Sequence, residues 1–245
     1  MKRIKAHGQS ARERGKSVGH GVSSLTLFRA SLYVRHLADL EAEGRETISS
    51  RELAGKFSIS AALVRKDLGL FGAFGKAGVG YYVKGLREAL LQKLGLKRTW
   101  NVAIVGAGRL GIALSRHKGL AESAFRVAAI VDKYPEATAA KRDSGLEVFH
   151  VDDLPRLVNE RCIELGIIAV PASSAQDAAD TIAQAGIKAI LNFAPTHIDV
   201  PQGIFVHNVD FTIYLENLAY YANQAYYRDG HPCDLGDKDW LGHQE

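Results

Sequence analysis

Three glycines in the stretch VAIVGAGRLG, Gly106, Gly108 and Gly111, follow a short apolar run with the spacing G-x-G-x-x-G. That pattern suits the binding of a dinucleotide pyrophosphate. The first glycine permits a sharp turn out of a strand, the second lets phosphates approach the backbone, and the third lets helix and strand pack closely. Ala107, Arg109 and Leu110 fill the same turn, and the amino end of the helix that follows favours negative phosphates. A second signal lies 21 residues beyond Gly111, where RVAAIVD ends in Asp132. A carboxylate there can bind both ribose hydroxyls and repels a 2′-phosphate, which favours NAD(H) over NADP(H). An alternative ligand for such a domain is another nucleotide-containing molecule such as coenzyme A, which Asp132 disfavours.

Hydride-transfer chemistry needs more than a cofactor. It needs a proton donor or acceptor beside the nicotinamide, held by an orienting partner. His117, His150, His197 and His207 are candidates by residue type only, because none sits in a catalytic pattern. Cys162 and Cys233 are far apart and have no C-x-x-C spacing, which argues against a structural zinc site or a disulfide framework. No metal site is expected.

A third chemistry lies upstream. Residues 1–100 carry 19 Lys and Arg against 8 Asp and Glu, whereas residues 101–245 carry 12 against 19. A basic module joined to an acidic one points to two surfaces with different partners, and nucleic acid is the commonest partner of a basic module. Ser49 followed by Glu52 is a capping box that starts a helix running to about Phe57. Ser58-Ile59-Ser60 is then a turn, and Ser60 caps a second helix, AALVRKDLGLF, whose Leu63, Val64 and Leu68 are expected to point inward. Two short helices across a tight polar turn, the second presenting Arg65 and Lys66, form a helix-turn-helix pattern that places those side chains in a major groove. In the next run, FGAFGKAGVGYYV, Gly72, Gly75, Gly78 and Gly80 permit tight turns, while Val79, Tyr81 and Val83 alternate as in a strand. This predicts a hairpin wing with Lys76 at its tip.

These residues need supporting elements. Leu25 to about Glu43 has helical spacing, with Leu25, Phe28, Leu32, Leu37 and Leu40 near one face, and Gly44 stops it. From Asn101 the chain alternates strand and helix. Strands are predicted at 101–105, 126–131, 146–149, 165–170, 188–193 and 204–209, with helices at about 109–118, 152–161 and 174–185. The fold class is therefore α/β: an N-terminal winged helix-turn-helix domain followed by a Rossmann-type parallel sheet domain. Little sequence remains after the sixth strand for a substrate domain. This weakens the alternative of an NAD-dependent oxidoreductase with an accessory basic domain. No apolar run approaches the ~20 residues of a bilayer span, and with the sparse cysteines this makes a cytoplasmic location the expectation.

Read together, LFRASLYVRHL, ISSRELA, VRKDLGLFGAFGKAGVGY, WNVAIVGAGRLG, AVPA, ILNFAP and VHNVDFT resemble the redox-sensing transcriptional repressors called Rex, in the order found there. The resemblance runs from about Leu25 to Tyr221. The helix-plus-wing run at 64–81 and the NFAP…NVD pair at 192–210 are its most specific parts. It implies a homodimer that binds inverted-repeat operator DNA when NADH is low and releases it when NADH binds; NAD⁺ competes and permits binding. No hydride transfer is implied, and no membrane association.

The resemblance also implies a C-terminal helix exchanged between subunits. The expected organisation is a basic flexible tail at 1–24, a winged-helix domain at 25–98, a Rossmann NAD(H)-binding domain at 99–209, a domain-swapped dimerisation helix at 210–228 and a tail at 229–245. Pro171, Ala194 and Pro195 join the cofactor-binding set, and Phe211 approaches the nicotinamide of the other subunit. Ser60, Arg65, Lys66, Lys76, Gly78 and Tyr81 form the DNA-binding set, and Asp210, Arg35 and His117 form a switch relay. Two positions depart from many relatives: His117 stands where they carry tyrosine, and Ala77 where they carry arginine. Histidine as a residue type titrates near neutrality, so the resemblance with this departure makes a pH-dependent switch the expectation.

Overall fold

The computed structural model describes residues 22–121, 123–137 and 146–229. Most of the two expected tails, residues 1–21 and 230–245, lies outside the described residues. The chain divides into two compact units, Met1–Thr99 and Trp100–Glu245.

In the first unit, α1 (Ser24–Ala42) is followed by β1 (Thr47–Ile48), α2 (Ser50–Lys56), α3 (Ala61–Phe71), β2 (Tyr81–Tyr82) and α4 (Val83–Lys93). The capping box of α2 is formed in full. Ser49 Oγ accepts from the Glu52 amide at 3.1 Å, and Glu52 accepts from the Ser49 amide at 2.8 Å. The turn to α3 passes through Ser58, whose φ of 53° is left-handed. Ser60 Oγ caps α3 by accepting from the Leu63 amide at 3.1 Å. The wing strand is shorter than the alternation of Val79, Tyr81 and Val83 predicts. Only Tyr81–Tyr82 pairs with β1, antiparallel, because Val83 opens α4 and its side chain starts a helical stripe with Leu86 and Leu90. Lys76 is at the base of the wing turn, bridged to Gly80, and not at its tip.

The buried face of α1 also differs from the expectation. Leu25 and Phe28 are 67% and 61% exposed, whereas Thr26, Ala30, Tyr33, Val34, Leu37 and Leu40 are buried. The reason is Asp67 of α3, 1% exposed, which draws polar side chains of α1 inward. Arg29 donates to both its carboxylate oxygens, each at 2.6 Å. Tyr33 donates at 2.9 Å and Thr26 at 3.4 Å.

The second unit contains β3 (Trp100–Val105), α5 (Arg109–Ser115), α6 (Lys118–Ala121), β4 (Phe125–Asp132), β5 (Phe149–His150), α7 (Leu154–Arg161), β6 (Ile163–Ile168), α8 (Ala175–Gln184), β7 (Ala189–Asn192), β8 (Phe205–Asn208) and α9 (Phe211–Asp229). The strands form one parallel sheet in the order β5-β4-β3-β6-β7-β8. This is the doubly wound order, whose direction reverses between β3 and β6, and ligands bind outside the carboxyl ends of the strands at that point. Leu154, Leu157, Ala179 and Ile182 cover one face, while Ile112 packs with Val102, Ile104, Ile130 and Ile167 on the other. The expected helix 109–118 is two pieces, α5 and α6, and the expected strand 146–149 is only Phe149–His150.

Candidate functional site

The carboxyl ends of β3, β4 and β6 enclose a cavity of about 470 Å³, lined by Gly106, Asp132, Lys133, Tyr134, Pro171, Asp177 and neighbours. Gly106 has φ 108°, and a Cβ there would meet the Ala169 carbonyl at 2.5 Å. The turn after β3 and the AVPA turn after β6 therefore pack backbone to backbone at the switch point. A Cβ on Gly111 would strike the Gly106 carbonyl, whereas one on Gly108 would meet nothing within 4 Å. The three glycines thus divide into two that permit packing and one that leaves the loop open on its outer side. Arg109 and Leu110 are exposed beside it, and Ala107 is buried.

Asp132 closes the β4 side of the cavity. It accepts from the Ala107 amide at 2.7 Å and from the Tyr134 amide at 2.8 Å, one bond to each oxygen. Carboxylate oxygens have further lone pairs for ribose hydroxyls. The open glycine loop, the oriented carboxylate and the adjoining cavity suit an adenine dinucleotide without a 2′-phosphate. Ala194 is 5% exposed and Pro195 exposed in the turn after β7.

His150 directly precedes Val151 and Asp152, which line this cavity, and the other candidate histidines are not among its lining residues. His150 lies 3.2 Å from Asp152, and His197 3.5 Å from Asp199, both pairs well exposed; His207 lies on the edge strand β8. His117 is exposed in the turn between α5 and α6. Arg35 is exposed on α1. Asp210 accepts from the Thr212 amide at 2.9 Å and from its hydroxyl at 2.6 Å. These bonds hold its carboxyl below the usual carboxylate range. Among the described residues, no group of three or more His, Cys, Asp or Glu is placed to hold a metal ion.

The first unit carries a second concavity, about 450 Å³, between the amino end of α2, Arg65 of α3 and the wing residues 75–81. Arg65 donates to Ser50 Oγ at 3.0 Å, so its guanidinium is aimed across the mouth of α2. Lys66 and Ser60 are exposed on the same helix, and Lys76 and Gly78 (φ 79°) are exposed in the wing. Tyr81 lines the floor of this cup, and its side chain is 7% exposed with its ring against Gly75. It acts as a support for the wing and does not reach outward. The sequence reading missed Ser50 and Asp67. The Ser-Ser pair at the start of α2 and a carboxylate between Val64 and Leu68 are the local signals for them.

Comparison with known proteins bears on both units. Residues 97–196 match a CoA binding domain model, and residues 21–69 match a putative DNA-binding protein N-terminus model. The redox-sensing transcriptional repressor Rex of Carboxydothermus hydrogenoformans is 43% identical over 202 residues, 82% of this chain and 97% of its own length. The chain belongs to the Rex family. A Rex of Streptomyces griseus is 39% identical over 94% of this chain and 90% of its own length. Among solved Rex-family structures, RSP in complex with β-NAD⁺ and operator DNA superposes with a TM-score of 0.76 at 34% identity, covering 88% of this chain and 99% of that one. RSP in complex with β-NADH gives 0.76 at 33% identity, covering 86% and 99%. The Rex matches span both units, so the matched CoA model corresponds here to the dinucleotide half of a Rex chain.

Proposed function

We propose that this protein is a transcriptional repressor that reads the NADH/NAD⁺ ratio, holding operator DNA when NADH is low and releasing it when NADH binds. One observation carries the reading: a redox-sensing repressor matches 82% of the chain at 43% identity, across the DNA-reading unit and the nucleotide unit alike. It is a regulator and not an enzyme, in keeping with relatives named as transcriptional repressors. NAD(H) occupies the cavity against Gly106, Gly108, Gly111 and Asp132, with Pro171, Ala194 and Pro195 on its nicotinamide side. Ser60, Arg65, Lys66, Lys76 and Gly78 meet the DNA, with Tyr81 shaping the wing. The protein works where the genome and the NADH pool meet, in the cytoplasm. No described helix is long and apolar enough to cross a membrane.

The acting species is a homodimer on an inverted-repeat site. Two features of the second unit support exchange of α9. Phe211, Tyr214, Leu215, Leu218 and Tyr221 of α9 are each 58–68% exposed. An apolar cavity of about 400 Å³, lined by Val102, Leu120, Phe125, Leu165, Leu191 and Phe205 among others, lies open on the sheet. A partner's α9 would fill such a groove and bring Phe211 and Asp210 to the other subunit's cofactor, Arg35 and His117. Coupling is reciprocal: a ligand that prefers one dimer geometry weakens whatever prefers the other, by ~5–150-fold for typical couplings of ~1–3 kcal/mol. Fluorescence anisotropy with operator DNA across NADH/NAD⁺ ratios tests the reading. NADH should weaken binding far more than NAD⁺ does; equal effects would overturn it.

A further inference from the structure

The carboxyl ends of β6, β7 and β8 stand in register, with Ile168 beside Asn192 and Asn192 beside Asn208. The middle residue is a carboxamide with no exposed surface. Its Oδ1 accepts from the Ala194 amide at 2.9 Å. Its Nδ2 donates to Asn208 Oδ1 at 2.9 Å, to the Thr196 carbonyl at 3.0 Å and to the Ala194 carbonyl at 3.3 Å. A carboxamide has two N–H donors and one carbonyl, so this side chain is fully engaged. An aspartate could not donate to three acceptors, and serine would not reach them. The main chain adds two further ties. The Val209 amide donates to the Asn192 carbonyl at 2.8 Å, and the Phe193 amide to the Ile168 carbonyl at 3.0 Å.

Asn192 therefore grips two segments at once. One is the turn 193–196, which contains Ala194 and Pro195. The other is the strand end 208–209, which leads directly into Asp210, the residue that binds the first turn of α9 through Thr212. We propose that Asn192 and Asn208 are positioning residues that make the turn 193–196 and the root of α9 move as one body. A cofactor that displaces the turn then displaces α9, and operator release follows from that movement. This inference rests on the reading above, in which NADH seats against Ala194 and Pro195 and gates DNA binding.

Asn208 is the partner to change, since it is exposed on edge strand β8. In Asn208→Ala, Asn192 keeps its bonds to Ala194 and Thr196, so the turn stays folded while its side-chain tie to the root of α9 is lost and only the main-chain tie from the Val209 amide remains. The readout is the ratio of operator Kd with saturating NADH to that without it, measured beside NADH affinity and thermal midpoint. Asn208→Ala should lower that ratio by about fivefold or more, within the ordinary range of allosteric couplings, with NADH affinity, unliganded operator affinity and midpoint unchanged. Asn208→Asp, which keeps an acceptor oxygen, should retain the wild-type ratio. An unchanged ratio in Asn208→Ala overturns the proposal. So does a parallel loss of NADH affinity, which would make Asn208 part of the cofactor site, and so does an equal loss in Asn208→Asp. If wild-type protein itself shows no NADH effect on operator binding, the functional reading fails first, and the two failures are distinct.

Discussion

Replacing Asp67 by alanine should unseat α3, the helix proposed to read DNA. The carboxylate is buried and takes two bonds from Arg29 and one each from Tyr33 and Thr26. Its removal leaves the Arg29 guanidinium, 20% exposed in its side chain, without its counter-charge, and leaves the Tyr33 hydroxyl, on a fully buried residue, without its acceptor. Breaking a buried pair from one side costs ~3–5 kcal/mol; the orphaned hydroxyl, worth ~1–3 kcal/mol alone, is partly counted within that figure. With a urea m-value of ~1–3 kcal/mol/M for a small unit, the midpoint of the first unit should fall by about 2 M. The assay is urea unfolding of the full chain. Far-UV circular dichroism follows the helices of both units, and the fluorescence of Trp100 and Trp240 follows the second, which should unfold where it did before, so the dichroism change that fluorescence does not share reports the first. The double variant Arg29→Met/Asp67→Leu should recover most of the loss, because apolar replacement of a buried pair is often neutral. A midpoint shift under about 0.5 M for Asp67→Ala, or no recovery in the double variant, would refute the reasoning.

Acid should weaken the same unit. Burial pushes the Asp67 carboxyl up, but the Arg29 and Tyr33 bonds and the Arg29 charge pull it further down, for a net depression; the Ser49 and Arg45 bonds draw Glu52 down to about 2. Groups depressed on folding contribute stability above their unfolded values of ~4, so that stability should be lost from about pH 4.5 downward, as seen by dichroism at fixed temperature. Gly108→Val should fold normally and lose NADH binding, while Gly111→Ala should destabilise the second unit itself, because its Cβ meets the Gly106 carbonyl; calorimetry beside NADH titration separates the two. Lys66→Ala should lower operator affinity and reduce the log–log salt slope by ~1, with NADH affinity unchanged; an unaltered slope removes Lys66 from the phosphate contacts.

Local signals in the sequence were the legible ones. The capping box at Ser49 and Glu52 closes within four residues, and the glycine turn is a backbone constraint that only neighbouring positions express, so both were readable without a partner. The amino end of the first helix departs from its apolar periodicity for the opposite reason. Apolar periodicity pointed to Leu25 and Phe28, but the buried face there is set by Asp67, some 40 residues away, which recruits Thr26, Arg29 and Tyr33. Hydrophobicity patterns do not register a polar core. The alternation runs one residue past the end of the wing strand at Tyr82 because Val83 satisfies both periods, alternating with Tyr81 and starting the stripe of α4. Asn192 stood within a motif that the sequence flagged, but its work depends on Asn208 on the next strand, a register that no linear spacing reveals.

The helix α9 has a consequence for how the molecule comes into being. A rod of 19 residues, about 28 Å long at 1.5 Å per residue, bears its greasy side outward in a lone chain. If its only shelter is a second copy, then folding to completion and finding a twin are one event, and dilution acts as a denaturant. Cells that make little of such a protein hold a stock whose durability rises with its own abundance.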